Sequence, residues 1–258
     1  MTTSAPGGER TVLWQLQISH YNEKVRWALD YKRIPHSRRS MLPGIHRVIT
    51  TRLADCLTSP VLTIDGKAIG DSTAILRAIE ERWPEPPLVP HGETERRRAL
   101  ELEDYFDEEL GPHIRRAIYH ELLPYPELVV PLFTDGASGL RRAVLRGSFP
   151  LLRVAMRQAF NIYAEPSARS REKTAAALDR LEQELGDNDY LVGNRFTIAD
   201  LTAASLLYPV ALPPEYPYRS PAWEELPEGA REFLGALRER PGATWVAEMY
   251  RRHRLPAK

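Results

Sequence analysis

The chain has 258 residues, 43% hydrophobic and 27% charged, with Lys+Arg 35 balanced by Asp+Glu 35. That balance lacks the basic excess with which nucleic-acid binders track phosphates, and the hydrophobic content excludes bulk disorder. A lone cysteine, Cys56, leaves no internal disulfide, CxxC pair or cysteine-rich zinc site, and no apolar run nears the roughly 18 residues that span a bilayer.

Residues 1–10, MTTSAPGGER, lack the apolar core of a signal peptide, so the expectation is a soluble, cytoplasmic protein. At about 150 residues per domain, the length suits one large domain or two small ones. Val12, Trp14, Leu16 and Ile18 alternate as a strand over 12–18, apolar on both sides and therefore central in a sheet. After the turn SHYN, Tyr21, Val25, Ala28 and Leu29 recur at helical spacing. Residues 36–40 suit a second strand and 45–57 an irregular helix. Pro60–Ile64, Asp65-Gly66 and Lys67–Ile69 read as a hairpin, because Asp-Gly supplies the positive φ angles of a tight turn. Asp71-Ser72 opens a helix with an apolar stripe of Ile75, Leu76, Ile79 and Trp83.

The proline-rich stretch from Pro84 to Pro90 cannot continue a helix and reads as a semi-rigid spacer, which puts a domain boundary there. Beyond it the pattern is helical: 94–121 as one long helix or two, broken at Gly111-Pro112, then 137–165, 171–185, 197–208, 228–240 and 243–253. Thr197 and Asp200 form a capping box, flanked by the apolar pair Phe196 and Leu201.

The opening strand followed by SHYNEKVRWAL, the hairpin SPVLTIDG, the helix start GDSTAI and the later NRFTIADL together resemble the glutathione S-transferase superfamily. The resemblance covers roughly residues 11–250, and its middle, about 122–170, carries no family motif. It implies an α/β thioredoxin-like N-terminal domain over 11–90, an all-α helical-bundle C-terminal domain over 95–258, and a homodimer. It also implies glutathione as co-substrate, a small hydrophobic electrophile as its target, and detoxifying conjugation as the activity. No metal, nucleic-acid or membrane partner is implied.

Ser19 stands between strand end and helix start, where unpaired amides and the helix dipole favour negative charge. A thiol placed there ionises more readily, and the thiolate is the reactive species. In the serine and cysteine branches of the family the activating residue precedes an arginine by seven positions, a spacing that Ser19 and Arg26 keep. Serine at this place is also an ordinary helix cap. His20 replaces the proline found after the active residue in many relatives, and Asn22 stands where others carry a cysteine. The chain therefore lacks the nucleophile of a glutaredoxin-type reductase. Tyr21 could offer a second donor to a thiolate, although its apolar helical partners suit burial.

The resemblance further implies that Ser59 and a cis Pro60 pair with the peptide backbone of glutathione. Asp71 and Ser72 would hold its γ-glutamyl end, through the amino group and α-carboxylate respectively. His46 and Arg47 lie where relatives place a basic contact to the glycine carboxylate; a solvated basic pair is the plainer reading. Tyr105, Phe106, His113 and Tyr119, and after them Trp245, are candidate electrophile-pocket residues, or equally ordinary helix-packing core. His113 and His120 share a face without forming a metal-ligand pattern, and the arginine runs at 96–98 and 251–252 read as solvated helix faces. Two alternatives stay open. One is a non-catalytic ligand-binding or stress-response protein of the same fold. The other is a transferase using a different low-molecular-weight thiol, a thought prompted by the Arg- and Ala-rich usage.

Overall fold

The computed structural model describes residues 11–254, so the signal-peptide reading at 1–10 and the final four positions of the helical domain lie outside the described residues. The first stretch runs β1 (Val12–Gln15), α1 (His20–Tyr31), β2 (Ser37–Ser40), α2 (Ile45–Ala54), β3 (Val61–Ile64), β4 (Lys67–Gly70) and α3 (Ser72–Arg82). The sheet order is β2-β1-β3-β4; β1 is parallel to β2 and antiparallel to β3, and β3 is antiparallel to β4. A parallel pair needs a crossover, and α1 supplies it. The hairpin turns at Asp65 and Gly66, with φ of 50° and 84°, the positive angles that a two-residue turn demands. Strand β1 ends three residues earlier than expected, because the Leu16 N–H donates to Asn22 Oδ1 at 3.2 Å and the chain leaves the sheet. Helix α2 is regular and shorter than the expected 45–57.

The helical stretch runs α4 (Glu93–Tyr105), a π-helical segment (Phe106–Leu110), α5 (Gly111–Leu122), α6 (Pro126–Phe133), α7 (Gly139–Ala159), α8 (Ala164–Leu185), α9 (Ile198–Ala211), α10 (Glu228–Arg238) and α11 (Pro241–His253). The expected break at Gly111-Pro112 is a π turn instead, and the chain passes through it from α4 into α5. Within the turn the Gly111 N–H donates to Phe106 O, five residues back. Pro112 has no N–H for the next carbonyl in that series, Asp107, and the Tyr21 hydroxyl donates to it at 2.9 Å. Gly111 is required at this crossing, since a Cβ there would lie 2.2 Å from Tyr21 Oη. The boundary between α7 and α8 also differs from expectation: α7 stops at Ala159, Asn161 takes φ 52°, and α8 runs unbroken through 166–170. Helix α6 was not anticipated.

Helix α9 is buried on every side from Ile198 to Val210 and packs against α1, α4 and α11, as a helix apolar all round should. Its entrance is held by Asp200, whose Oδ2 accepts from the Thr197 N–H and hydroxyl and whose Oδ1 accepts from the Leu191 N–H, all at 2.8 Å. The Thr197 hydroxyl thus serves the Asp200 carboxylate.

The segment expected to be a spacer is a fastened strap. Lys32 Nζ donates to the carbonyls of Trp83, Pro84 and Pro86 at 2.8, 3.2 and 2.8 Å. Glu80 Oε1 accepts from the Leu88 and Val89 amides at 3.0 Å each, and the Ile198 N–H donates to Leu88 O at 2.8 Å. The lysine that follows α1 and a glutamate of α3 therefore grip the strap on one side while α9 holds it on the other.

Overpacking typically costs about 1–3 kcal/mol. Gly111→Ala should destabilise the protein by about that much, read as a lower urea midpoint.

Candidate functional site

The site grows from the turn between β1 and α1. The Ser19 N–H donates to Leu16 O at 3.2 Å, and Ser19 Oγ accepts from the Asn22 N–H at 3.4 Å, capping α1. Asn22, fully buried, accepts from Leu16 and donates from Nδ2 to Ser59 Oγ at 3.2 Å. One amide thus ties the end of β1, the first turn of α1 and the residue before Pro60, whose peptide bond with Ser59 is cis. Sequence reasoning noticed position 22 only for the cysteine it lacks.

Arg26 explains the seven-residue spacing. Two helical turns after Ser19 it lies on the same face, and it is fully buried. Its Nη2 donates to Gln17 O at 3.1 Å, Ser19 O at 3.4 Å and Tyr216 Oη at 3.1 Å. Its Nη1 donates to Gln15 Oε1 at 2.9 Å and its Nε to Glu23 Oε2 at 2.7 Å. Glu23 Oε1 in turn accepts from Arg254 Nε at 2.6 Å, with both side chains at 0% exposure. The arginine holds the backbone on which Ser19 sits.

At the start of α3, Asp71 has φ 69° and its Oδ1 accepts from the Ala74 N–H at 2.9 Å. A non-glycine residue in that region is uncommon and costs on the order of 1–3 kcal/mol, so the surrounding structure must enforce it. Lys24 anchors the first turn of α3 two residues further on. This fully buried ammonium donates to Thr73 Oγ1 at 3.1 Å, to Asp107 Oδ1 at 2.5 Å and to Glu103, linking α1 and α3 to the helical stretch. Ser72 follows Asp71 at the first position of α3 and is buried.

Two cavities meet at Ser19. The larger one is lined by Ser19, His46, Arg47 and Ser59 on the sheet side and by Arg115, Tyr119 and Phe160 on the helical side. The smaller one is lined by Ser19, His20, Arg115 and Tyr119 with an apolar wall that includes Ile118 and Leu234. Ser19, Arg115 and Tyr119 belong to both. Burial, then the adjacent Arg47, pushes the His46 pKa down to about 4, leaving Arg47 as the cation at that edge. Tyr21 has its one proton committed to Asp107 O, and burial raises its pKa.

Asp71 and Ser72 do not line either cavity, and three candidate pocket residues also stand elsewhere. Phe106 is fully buried in the core, Tyr105 packs edge-on against it, and His113 Nδ1 pairs with Ser170 Oγ of α8 at 3.0 Å. Trp245 is likewise buried, donating to Asp189 O at 2.9 Å. The π turn rotates α5 relative to α4, so the cavity face of the long helix carries Arg115 and Tyr119. Arg115, His20 and Asn22 are the residues that sequence reasoning did not assign to the site. No metal-binding group of His, Cys, Asp or Glu occurs among the described residues, and no described helix is long and apolar enough to cross a membrane.

Residues 13–87 match the glutathione S-transferase N-terminal domain and residues 164–239 the C-terminal domain. The chain belongs to the glutathione S-transferase superfamily. Its α/β part is the thioredoxin-like domain of that superfamily, and the rest is the helical domain. Over 155 residues it is 33% identical to maleylacetoacetate isomerase of Dictyostelium discoideum, covering 54% of this chain and 69% of that relative. Over 238 residues it is 26% identical to FtsZ-localized protein A of Caulobacter vibrioides, covering 90% and 88%. The solved structure of beta-etherase LigF from Sphingobium sp. superposes with a TM-score of 0.61 at 20% identity, over 92% of this chain and 98% of that one, a likeness of fold.

His20 gives this superfamily member an acid-sensitive contact. Burial, then the Arg115 charge, pushes its pKa down to about 3, against a raising contribution from the Gly111 backbone. In the unfolded chain the ring takes its proton near the ordinary value of about 6.5. The unfolded state therefore binds the extra proton first, and this contribution to stability is lost as pH falls from about 6.5 towards 3. His20→Gln should flatten the dependence of the urea midpoint on pH over that window relative to wild type. His46 contributes with the same sign in both proteins and so cancels in the comparison.

Proposed function

We propose that the chain is a cytoplasmic, homodimeric glutathione-dependent transferase of the serine-type branch. Glutathione occupies the larger cavity with its sulfur at Ser19, and a small hydrophobic electrophile enters from the smaller one. The single observation behind this reading is that Ser19, at the amide-rich entrance of α1, lines both cavities and stands across Asn22 from Ser59 and its cis proline. The dipole of α1 and the free amides of its first turn favour a thiolate over a thiol at that point. The Ser19 hydroxyl adds a donor, and a hydrogen bond to a charged acceptor contributes about 1.5–3 kcal/mol. Ser59 and Pro60 would meet the peptide backbone, and Asp71 and Ser72 its γ-glutamyl end. Arg47, with His46 uncharged beside it, would meet the glycine carboxylate. In this reading the superfamily membership and the resemblance to maleylacetoacetate isomerase support glutathione as the thiol.

A second reading has its own support. The likeness to FtsZ-localized protein A extends over 90% of the chain, and that protein's name describes a location rather than a reaction. The non-catalytic alternative is a binding protein that keeps the fold and the cavities without turning over a thiol. A different low-molecular-weight thiol is the third possibility.

Glutathione at about 100 times its Kd should stabilise the protein by about 2.7 kcal/mol. In a conjugation assay with an activated aryl halide, Ser19→Ala should lower kcat/KM about tenfold or more, the equivalent of one charge-assisted hydrogen bond. Stabilisation by glutathione without turnover would favour the binding protein, stabilisation only by another thiol would favour the third reading, and activity untouched in Ser19→Ala would remove the mechanism.

A further inference from the structure

Arg115 is an arginine without an anion. It projects from α5 into the wall shared by both cavities, and no carboxylate lies within ion-pair distance of it among the described residues. Its Nε is buried without a hydrogen-bond partner. Two aromatic rings hold the guanidinium, Phe160 with its centroid at 4.3 Å and Tyr21 at 5.7 Å, so the group is fixed in direction but not neutralised. The next residue, Arg116, is satisfied by Phe160 O at 2.8 Å and Ser170 Oγ at 2.8 Å, which leaves Arg115 as the odd one of the pair.

The surroundings have the same sign. Neither cavity has a single aspartate or glutamate in its lining, whereas arginine occurs in both. The smaller cavity also has Arg219 in its lining, but that arginine is paired with Glu225 at 3.3 Å; the rest is largely aliphatic, and His20, buried there, has an Nε2 with no partner. A half-buried guanidinium with no counter-ion and one orphaned, buried N–H can satisfy both by taking up an anionic oxygen. The planar fork of a guanidinium matches a carboxylate with two parallel hydrogen bonds.

We infer that the co-substrate is an apolar carboxylate: its carboxylate is taken by Arg115 while its hydrocarbon body fills the smaller cavity. This rests on the thiol reading above, because Arg115 and Ser19 share both cavities and a carboxylate on Arg115 brings the rest of the molecule to the sulfur. One unpaired cation matches one negative charge, whereas a dianion would leave charge uncompensated against aliphatic walls. Glutathione's own carboxylates are assigned to the ends of the larger cavity and its neighbourhood, at Arg47 and Ser72, while Arg115 stands beside the sulfur position.

The test needs no thiol. Calorimetric titration of 4-phenylbutyrate and of its amide at neutral pH, in the absence of glutathione, compares two ligands that differ in charge. The wild type should bind the acid about tenfold or more tightly than the amide, the ratio expected of a charge-assisted contact. Arg115→Gln should erase that ratio, and Arg115→Lys should retain part of it. Equal binding of acid and amide by the wild type, no binding of the acid at millimolar concentration, or an undiminished ratio in Arg115→Gln would each overturn the inference. If Arg115→Gln fails to fold, the wild-type ratio still decides. A separate glutathione titration reports on the thiol site, so a protein that ignores glutathione but prefers the acid loses only the former reading.

Discussion

The buried chain of charges from Arg26 through Glu23 to Arg254 and Asp30 is the constraint on which the rest of the structure depends. Three of these side chains, Arg26, Glu23 and Arg254, have no exposure, and Arg254 Nη1 reaches Asp30 Oδ2 at 2.7 Å. Charges removed from water are tolerable only when each is paired and its remaining donors are used, and deleting one partner of a buried pair costs on the order of 3–5 kcal/mol. Arg26 meets that condition by using the carbonyls of Gln17 and Ser19, the amide of Gln15 and the hydroxyl of Tyr216. The cluster therefore couples the end of β1, the first helix, the loop after α9 and the end of α11. The position of Ser19 is a consequence of how that cluster closes.

A second coupling runs through the π turn. Lys24 of α1 pairs with Glu103 and Asp107, and Tyr21 of α1 donates to the carbonyl that Pro112 leaves vacant. The N-terminal helix is thus docked into the place where α4 becomes α5. The same wider turn sets which side chains of α5 face the cavities, bringing Arg115 and Tyr119 to the front while Phe106 stays in the core. Catalytic and binding surfaces commonly sit at such turns, since an extra residue re-aims everything after it.

Both cavities combine aliphatic walls with unneutralised positive charge, an arrangement that suits a reaction or a binding event involving an anion with an apolar body. That chemistry is shared by the enzymatic and the non-catalytic readings of the fold. What separates them is whether Ser19 meets a thiol. Fold alone does not choose, since sites on one scaffold host different functions.

Periodicity and local turn chemistry in the sequence determined the strand–helix order, the Asp65-Gly66 hairpin, the caps at Ser19 and Asp71 and the helical character after residue 94, because each depends on neighbours within a few positions. The spacing of Ser19 and Arg26 was likewise legible, although its purpose was not, since the partners Tyr216 and Gln17 come from distant or unpatterned segments. Only the tertiary structure decided that Gly111-Pro112 is a π turn, that the Pro84–Pro90 stretch is fastened by Lys32 and Glu80, and that Arg115 reaches the cavities while Tyr105 and His113 do not. Those outcomes depend on which side chain arrives from elsewhere to take a vacant carbonyl or leave a cation unpaired, and such long-range partnerships leave no local period to read.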